Sequence, residues 1–122
     1  MKFKYELWQL RLTEKNRKKR FMSFKVLGEM GIRPQIGDYE LVYSGEVEED
    51  GTYEALEKVF RIFNVNIPAD FNGRSASVSD VIKINGRYYY IDPLGFKEVE
   101  GFDEKDNSVN DRCAGSGYGR VQ

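Results

Sequence analysis

Residues 80–92 read DVIKINGRYYYID, and this stretch decides the fold. Val81, Lys83 and Asn85 alternate with Ile82 and Ile84. Tyr88 and Tyr90 alternate with Tyr89 and Ile91. Between the two runs stands Asn85-Gly86. A two-residue hairpin turn needs positive φ at both central residues, and Asn-Gly meets that need best. The stretch therefore predicts an antiparallel β-hairpin. Three consecutive tyrosines must place aromatic rings on both faces of the sheet. One face turns to the core. The other lies under the preceding loop or forms an exposed binding surface. Pro93 and Gly95 end the second strand, and FKEV at 96–99 is a candidate for a short last one.

Working outward, residues 64–79 (NVNIPADFNGRSASVS) read as one long loop, with Pro68 forcing Ile67 into an extended shape. Before it, YEALEKVFRIF at 53–63 puts Leu56, Val59, Phe60 and Phe63 on one helical face. Residues 39–47 alternate as a strand, and so do residues 3–12, where Phe3, Tyr5 and Leu7 occupy every second place. Between these strands, Thr13 or Asn16 starts a helix reaching to about residue 30, with Gly28 and Gly31 at its end and Phe21, Phe24, Val26, Leu27 and Met30 as its apolar stripe. The expected fold is a single α+β domain over residues 1–102. It has a mainly antiparallel sheet of about four strands and two helices, in the order β-α-β-α-β-β. Residues 103–122 are polar and Gly-rich and predict a mobile tail.

Composition narrows the chemistry. The chain has 122 residues, one domain's worth, with 40% hydrophobic and 32% charged residues. It has no histidine, which removes His-based triads and His–metal sites. Cys113 is the single cysteine, so no internal disulfide or Cys-x-x-Cys site exists, as suits a reducing cytoplasm. No apolar run is long enough to span a membrane, and the first residues lack an apolar signal core.

Charge is the clearest physical signal. Net charge is −1, but its distribution is uneven. Residues 11–25 hold seven bases (Arg11, Lys15, Arg17, Lys18, Lys19, Arg20, Lys25) and one acid, Glu14. Residues 38–57 hold eight acids and no base, among them Glu46, Glu48, Glu49, Asp50 and Glu54. A second acidic segment includes Glu98, Glu100, Asp103 and Glu104. The basic run, Arg17 to Arg20 above all, has the character of a phosphate contact, or of a solvated surface that partners the acids. The acidic runs have the character of a nucleic-acid backbone mimic, or again of plain solvated surface.

Other motifs carry less. Gly115-Ser116-Gly117-Tyr118-Gly119 lacks the strand–turn–helix setting of a dinucleotide loop. Ser75, Ser77 and Ser79 lack a nearby base and read as turn or cap residues. Asp70, Asp80 and Asp92 would suit Mg²⁺ chemically, but their spacing does not demand it. No metal and no cofactor is expected.

The run VFRIFNVNIPADFNGRSASVSDVIKINGRYYYIDPLGFKEVE at 59–100 closely resembles the YodL-like domain. Phe63, Asn64, Pro68, Asp70, Phe71, Gly73, Arg74, Ser75, Ser77, Val78, Ser79 and Asp80 stand at the family's places, as do Tyr89, Tyr90, Asp92, Gly95 and Phe96. The family's usual histidine before the proline is Ile67 here. With the first strand included, the resemblance covers roughly residues 3–99. It implies a small cytoplasmic, non-enzymatic protein of Gram-positive bacteria, their phages and conjugative elements. Members of this kind resemble either anti-CRISPR inhibitors of Cas9-type nucleases or an inhibitor of the actin-like cytoskeleton. No catalytic residue carries over. In the loop, Arg74 is expected to bridge Asp70, Asp80 or Asp92. The leading expectation is an inhibitor that binds a host Cas9-type effector and competes with guide RNA or DNA through its acidic segments. The alternatives are a cytoskeleton-directed binder using the aromatic sheet face, and a nucleic-acid-binding module using Arg17, Lys18, Lys19 and Arg20.

Overall fold

The computed structural model describes residues 1–103. The elements are β1 (Lys2–Leu10), α1 (Glu14–Arg17), α2 (Phe24–Glu29), β2 (Tyr39–Glu48), α3 (Thr52–Val65), β3 (Val81–Ile84), β4 (Arg87–Asp92) and β5 (Gly95–Val99), with a single 3₁₀ turn at Ile36–Asp38. They build one five-stranded sheet, in the order β2-β1-β3-β4-β5. Every neighbouring pair is antiparallel. The α+β class and the antiparallel sheet are as the sequence predicts. The sheet gains a fifth strand, because FKEV with Gly95 pairs fully along β4.

The hairpin closes as expected. Asn85 and Gly86 take φ of 56° and 76°, the left-handed values that this turn demands. α3 also forms where its apolar face predicts, extended by a residue or two at each end. It lies on one side of the sheet and buries Ala55, Leu56, Val59 and Phe63 against Phe3, Tyr5, Leu7, Ile82, Ile84 and Ile91. Phe63 is the hub, with its ring edge-on to Tyr5, Tyr43 and Phe71 at 6.1, 5.2 and 4.8 Å.

The other side of the sheet holds a second core. Leu10, Tyr39, Val81, Tyr88, Tyr90 and Val99 are covered by Leu27 of α2 and by Phe102, just beyond β5. The ring of Phe102 packs on Tyr88, Tyr39 and Trp8 at 4.6, 5.1 and 6.2 Å, and its carbonyl accepts from the Ile36 amide at 2.8 Å. Both aromatic faces are therefore closed. Tyr88 and Tyr90 lie under α2 and Phe102, and Tyr89 lies on the α3 side. The cover is not the loop at 64–79, and the exposed aromatic sheet face expected for a cytoskeletal binder is not there.

The single helix predicted up to residue 30 is two short helices with a break. Thr13 caps α1 as expected, its side chain accepting from the Asn16 amide. Past α1, Phe21 turns left-handed (φ 66°), and Ser23 starts α2 as a fresh cap. A left-handed non-glycine residue costs about 1 kcal/mol, so something must hold it. The sheet does. The Tyr90 hydroxyl donates to the Met22 carbonyl at 2.6 Å, and Asp92 Oδ1 accepts from the Phe24 amide at 2.7 Å. Distant side chains thus take over backbone groups that a continuous helix would have used.

Phe102 is the last core ring among the described residues. Asp103 is exposed, and the remainder of the predicted tail, with Glu104 and Cys113, lies outside the described residues.

Candidate functional site

The loop between α3 and β3 is held by a buried polar cluster centred on Gln9. Gln9 ends the inward row Phe3, Tyr5, Leu7 of β1 and is 2% exposed. Its Nε2 donates to the Arg74 carbonyl at 2.8 Å and to Asp80 Oδ2 at 3.1 Å. Its Oε1 accepts from the Arg74 amide at 3.0 Å. The side-chain amide thus pairs with both backbone groups of one loop residue, as a neighbouring strand would. Asp80 Oδ2 also accepts from the Ser77 amide at 3.0 Å. The Asp80 backbone grips the sheet, since the Ile91 amide donates to its carbonyl at 2.8 Å.

Gly73 is there for room. A Cβ at this position would sit 2.5 Å from the Phe71 ring and 2.7 Å from Gln9 Oε1. Asn64 closes the other end of the loop, donating to the Phe60 and Ala76 carbonyls at 2.9 and 3.1 Å. The Tyr39 hydroxyl donates to the Ser79 carbonyl at 2.7 Å, and burial pushes that phenol well above its usual range.

Asp70, Asp80 and Asp92 do not gather. Asp70 accepts from the Tyr43 hydroxyl at 3.1 Å on the outer surface. Asp80 lies under the loop, and Asp92 caps α2 across the sheet. Among the described residues, no group of three acidic or sulfur ligands is placed to hold a metal. The bridge expected from Arg74 to these acids is also replaced. Its Nη2 donates to the Leu10 carbonyl at 3.0 Å, because Gln9 clamps the Arg74 backbone and so directs the side chain across the end of β1. Arg74 acts on Asp80 only as a nearby charge.

Burial is the main influence on Asp80. It raises the carboxyl from 3.8 to about 6, against the lowering effects of the Ser77 and Gln9 hydrogen bonds and of the Arg74 and Arg20 charges. A carboxyl raised in the folded state binds its proton more tightly when folded. Its contribution is therefore most favourable below about pH 4 and is lost as pH rises through about 6, an effect of ~3 kcal/mol. Asp80→Asn keeps one oxygen for both donors and removes the charge. Urea unfolding between pH 4 and 7 is expected to show that decline in the parent and not in the variant. Parallel pH profiles for the two proteins would reject it.

The charged segments occupy distinct places. Glu46 and Glu48 lie on β2, an edge strand, directly opposite Lys4 and Lys2 of β1. Glu49 and Asp50 form the turn into α3, and Glu54 lies in its first turn, where a carboxylate favours the helix dipole. Glu49 pairs with Lys58 at 3.5 Å. Glu98 and Glu100 lie at the far side, on and just after β5, where Glu98 meets Arg87 at 3.4 Å. The two acidic segments therefore sit at opposite edges of the sheet. The basic run follows α1. Lys15 and Lys19 both reach Asp38, at 3.4 and 3.1 Å, and the Arg20 guanidinium stacks 4.6 Å over Phe21. Arg17 and Lys18 are exposed. A separate apolar groove of about 510 Å³ runs between α3 and the β4–β5 turn, lined by Tyr53, Phe60, Leu94 and Phe96.

The family model of the YodL-like domain matches residues 4–102, from β1 to the ring that closes the second core. The chain belongs to the YodL-like domain family. No curated protein and no solved structure matches it. In this YodL-like domain the motif residues hold the loop and fill the first core, where Phe63, Phe71, Tyr89 and Phe96 lie, while Tyr90 enters the second. Asn64, Gly73, Ser77 and Asp80 fasten the loop, and Asp92 fixes the entry to α2. Gln9 belongs with them, though it stands far from the motif. The signal was present in the sequence, because a polar residue continues the inward row of β1.

Proposed function

We propose that this YodL-like domain is a non-enzymatic inhibitor, carried by a phage or mobile element, that binds a host defence effector of the Cas9 type. The acidic corner carries the reading. Glu46, Glu48, Asp50 and Glu54 are exposed at one end of the sheet, beside Glu49. Such a corner suits a basic channel that holds nucleic-acid phosphates by charge. A non-catalytic role is supported by the chain's lack of histidine and by a buried polar cluster whose hydrogen bonds run largely to its own loop. The basic run offers a thinner footprint for a nucleic-acid module, since Lys15 and Lys19 are engaged by Asp38.

The test is a Cas9 cleavage assay, with the protein added before or after guide RNA and at two salt concentrations. Inhibition is expected to weaken with salt. Glu48→Lys/Glu49→Lys/Asp50→Lys is expected to weaken it at least about tenfold, because like charges then face the channel. Full inhibition by this triple variant would remove the acidic mechanism. No inhibition by the parent protein would remove the target.

A further inference from the structure

Among the described residues the two outer strands of the sheet each lack a second partner strand, and they are unlike. β5 has five residues. β2 has ten, with no lysine, arginine or proline, and among the described residues it pairs with β1 alone. Edge strands are usually blunted by shortness, lysine or proline. β2 carries glutamates instead.

The register shows what those glutamates face. Glu48 lies opposite Lys2 and Glu46 opposite Lys4. Glu6 lies opposite Lys83 in the next pair. Each of the two outer rows therefore runs from a cation on β1 to a carboxylate at the rim. Among the described residues, neither Glu46 nor Glu48 makes an ion pair. The sheet face beside them is open, a trough of about 870 Å³ lined by Lys2, Lys4, Ser44 and Lys83. On the opposite face of β2 the neighbours are Tyr43 and Val47, packed toward α3.

A strand added beyond β2 would place every second side chain beside Glu46 and Glu48. The side chains between would lie beside Tyr43 and Val47. β1 meets these same requirements from the inner side, with Lys2 and Lys4 on one face and Phe3 and Tyr5 on the other. We propose that the β2 edge takes up an extended partner segment of alternating basic and apolar residues, with two cations spaced two apart opposite Glu46 and Glu48. Main-chain hydrogen bonds supply the attachment and the alternation supplies the selectivity. A second copy of β2 is a poor occupant, since the strand offers the carboxylates of Glu46 and Glu48 on this face and no cation to set against them. The inference does not depend on the identity of the effector.

The probe is a capped decapeptide of alternating lysine and valine, titrated into the whole protein. A peptide of the same composition, with all lysines before all valines, is the control. Amide NMR shifts and slowed hydrogen exchange are expected along β2 and not along β5. The block peptide is expected to bind about tenfold more weakly, because only alternation fits the pleat. Glu46→Lys/Glu48→Lys is expected to lower affinity for the alternating peptide about tenfold. Glu14→Lys/Glu29→Lys, an equal charge change away from the edge, is expected to leave it unchanged. Equal binding of the two peptides, protection elsewhere than β2, or no binding at millimolar peptide would each overturn the proposal. Since no nuclease is present, these outcomes are separate from those of the cleavage assay.

Discussion

Gln9→Leu is expected to destabilise the domain by about 3–5 kcal/mol, since the buried Asp80 carboxyl and the half-buried Arg74 amide and carbonyl lose their bonds together. The variant keeps the bulk of the side chain and removes both polar ends. The Arg74 amide and carbonyl lose the groups that pair with them. Asp80 keeps the Ser77 amide but loses the Gln9 donor. Each buried polar group left without a partner costs about 1–3 kcal/mol. In urea the midpoint should fall while the slope stays constant, as the surface exposed on unfolding is unchanged. Hydrogen exchange should quicken first in residues 72–80, which the cluster fastens. A loss below about 1 kcal/mol would mean that the loop holds its shape without Gln9.

The second large effect is expected at Phe102. Phe102→Ala removes a fully buried ring at the end of the domain. Losses for buried Phe→Ala are about 3–5 kcal/mol, from lost transfer energy and the cavity left behind. The residue matters beyond its area because Trp8, Tyr39 and Tyr88 all pack on it. Ending the chain after Glu100 should cost at least as much, since the bond to the Ile36 amide goes too. If the truncation after Glu100 matched the full chain, the second core would not depend on this ring.

What could be read from sequence was local. The hairpin was legible because Asn85-Gly86 specifies its own turn. α3 was legible because one run carries a complete apolar face. The broken helix was not, since Phe21, Phe24 and Leu27 keep helical spacing through the break. Its cause lies 68 residues away, where Tyr90 and Asp92 capture the backbone at Met22 and Phe24. The cover over the tyrosines was misplaced for a like reason: α2 and Phe102 reach them only once the strand order is set. Charge was legible as composition but not as layout. The register alone shows that Glu46 and Glu48 face lysines, and that Glu98 and Glu100 belong to the other edge.

The central place of β1 bears on synthesis. β1 is the earliest of these elements in the chain, yet it lies inside the sheet, between β2 and β3. As the chain leaves the ribosome, β2 and α3 follow β1 but precede β3, and can cover one edge and one face of β1. The other edge, from Tyr5 to Trp8, stays open until Val81–Ile84 arrives. During that interval an apolar strand is exposed to any other nascent chain nearby. Contacts between segments so far apart in sequence also form slowly. The step at which β3 docks is therefore where a cell's chaperones would matter most for this domain.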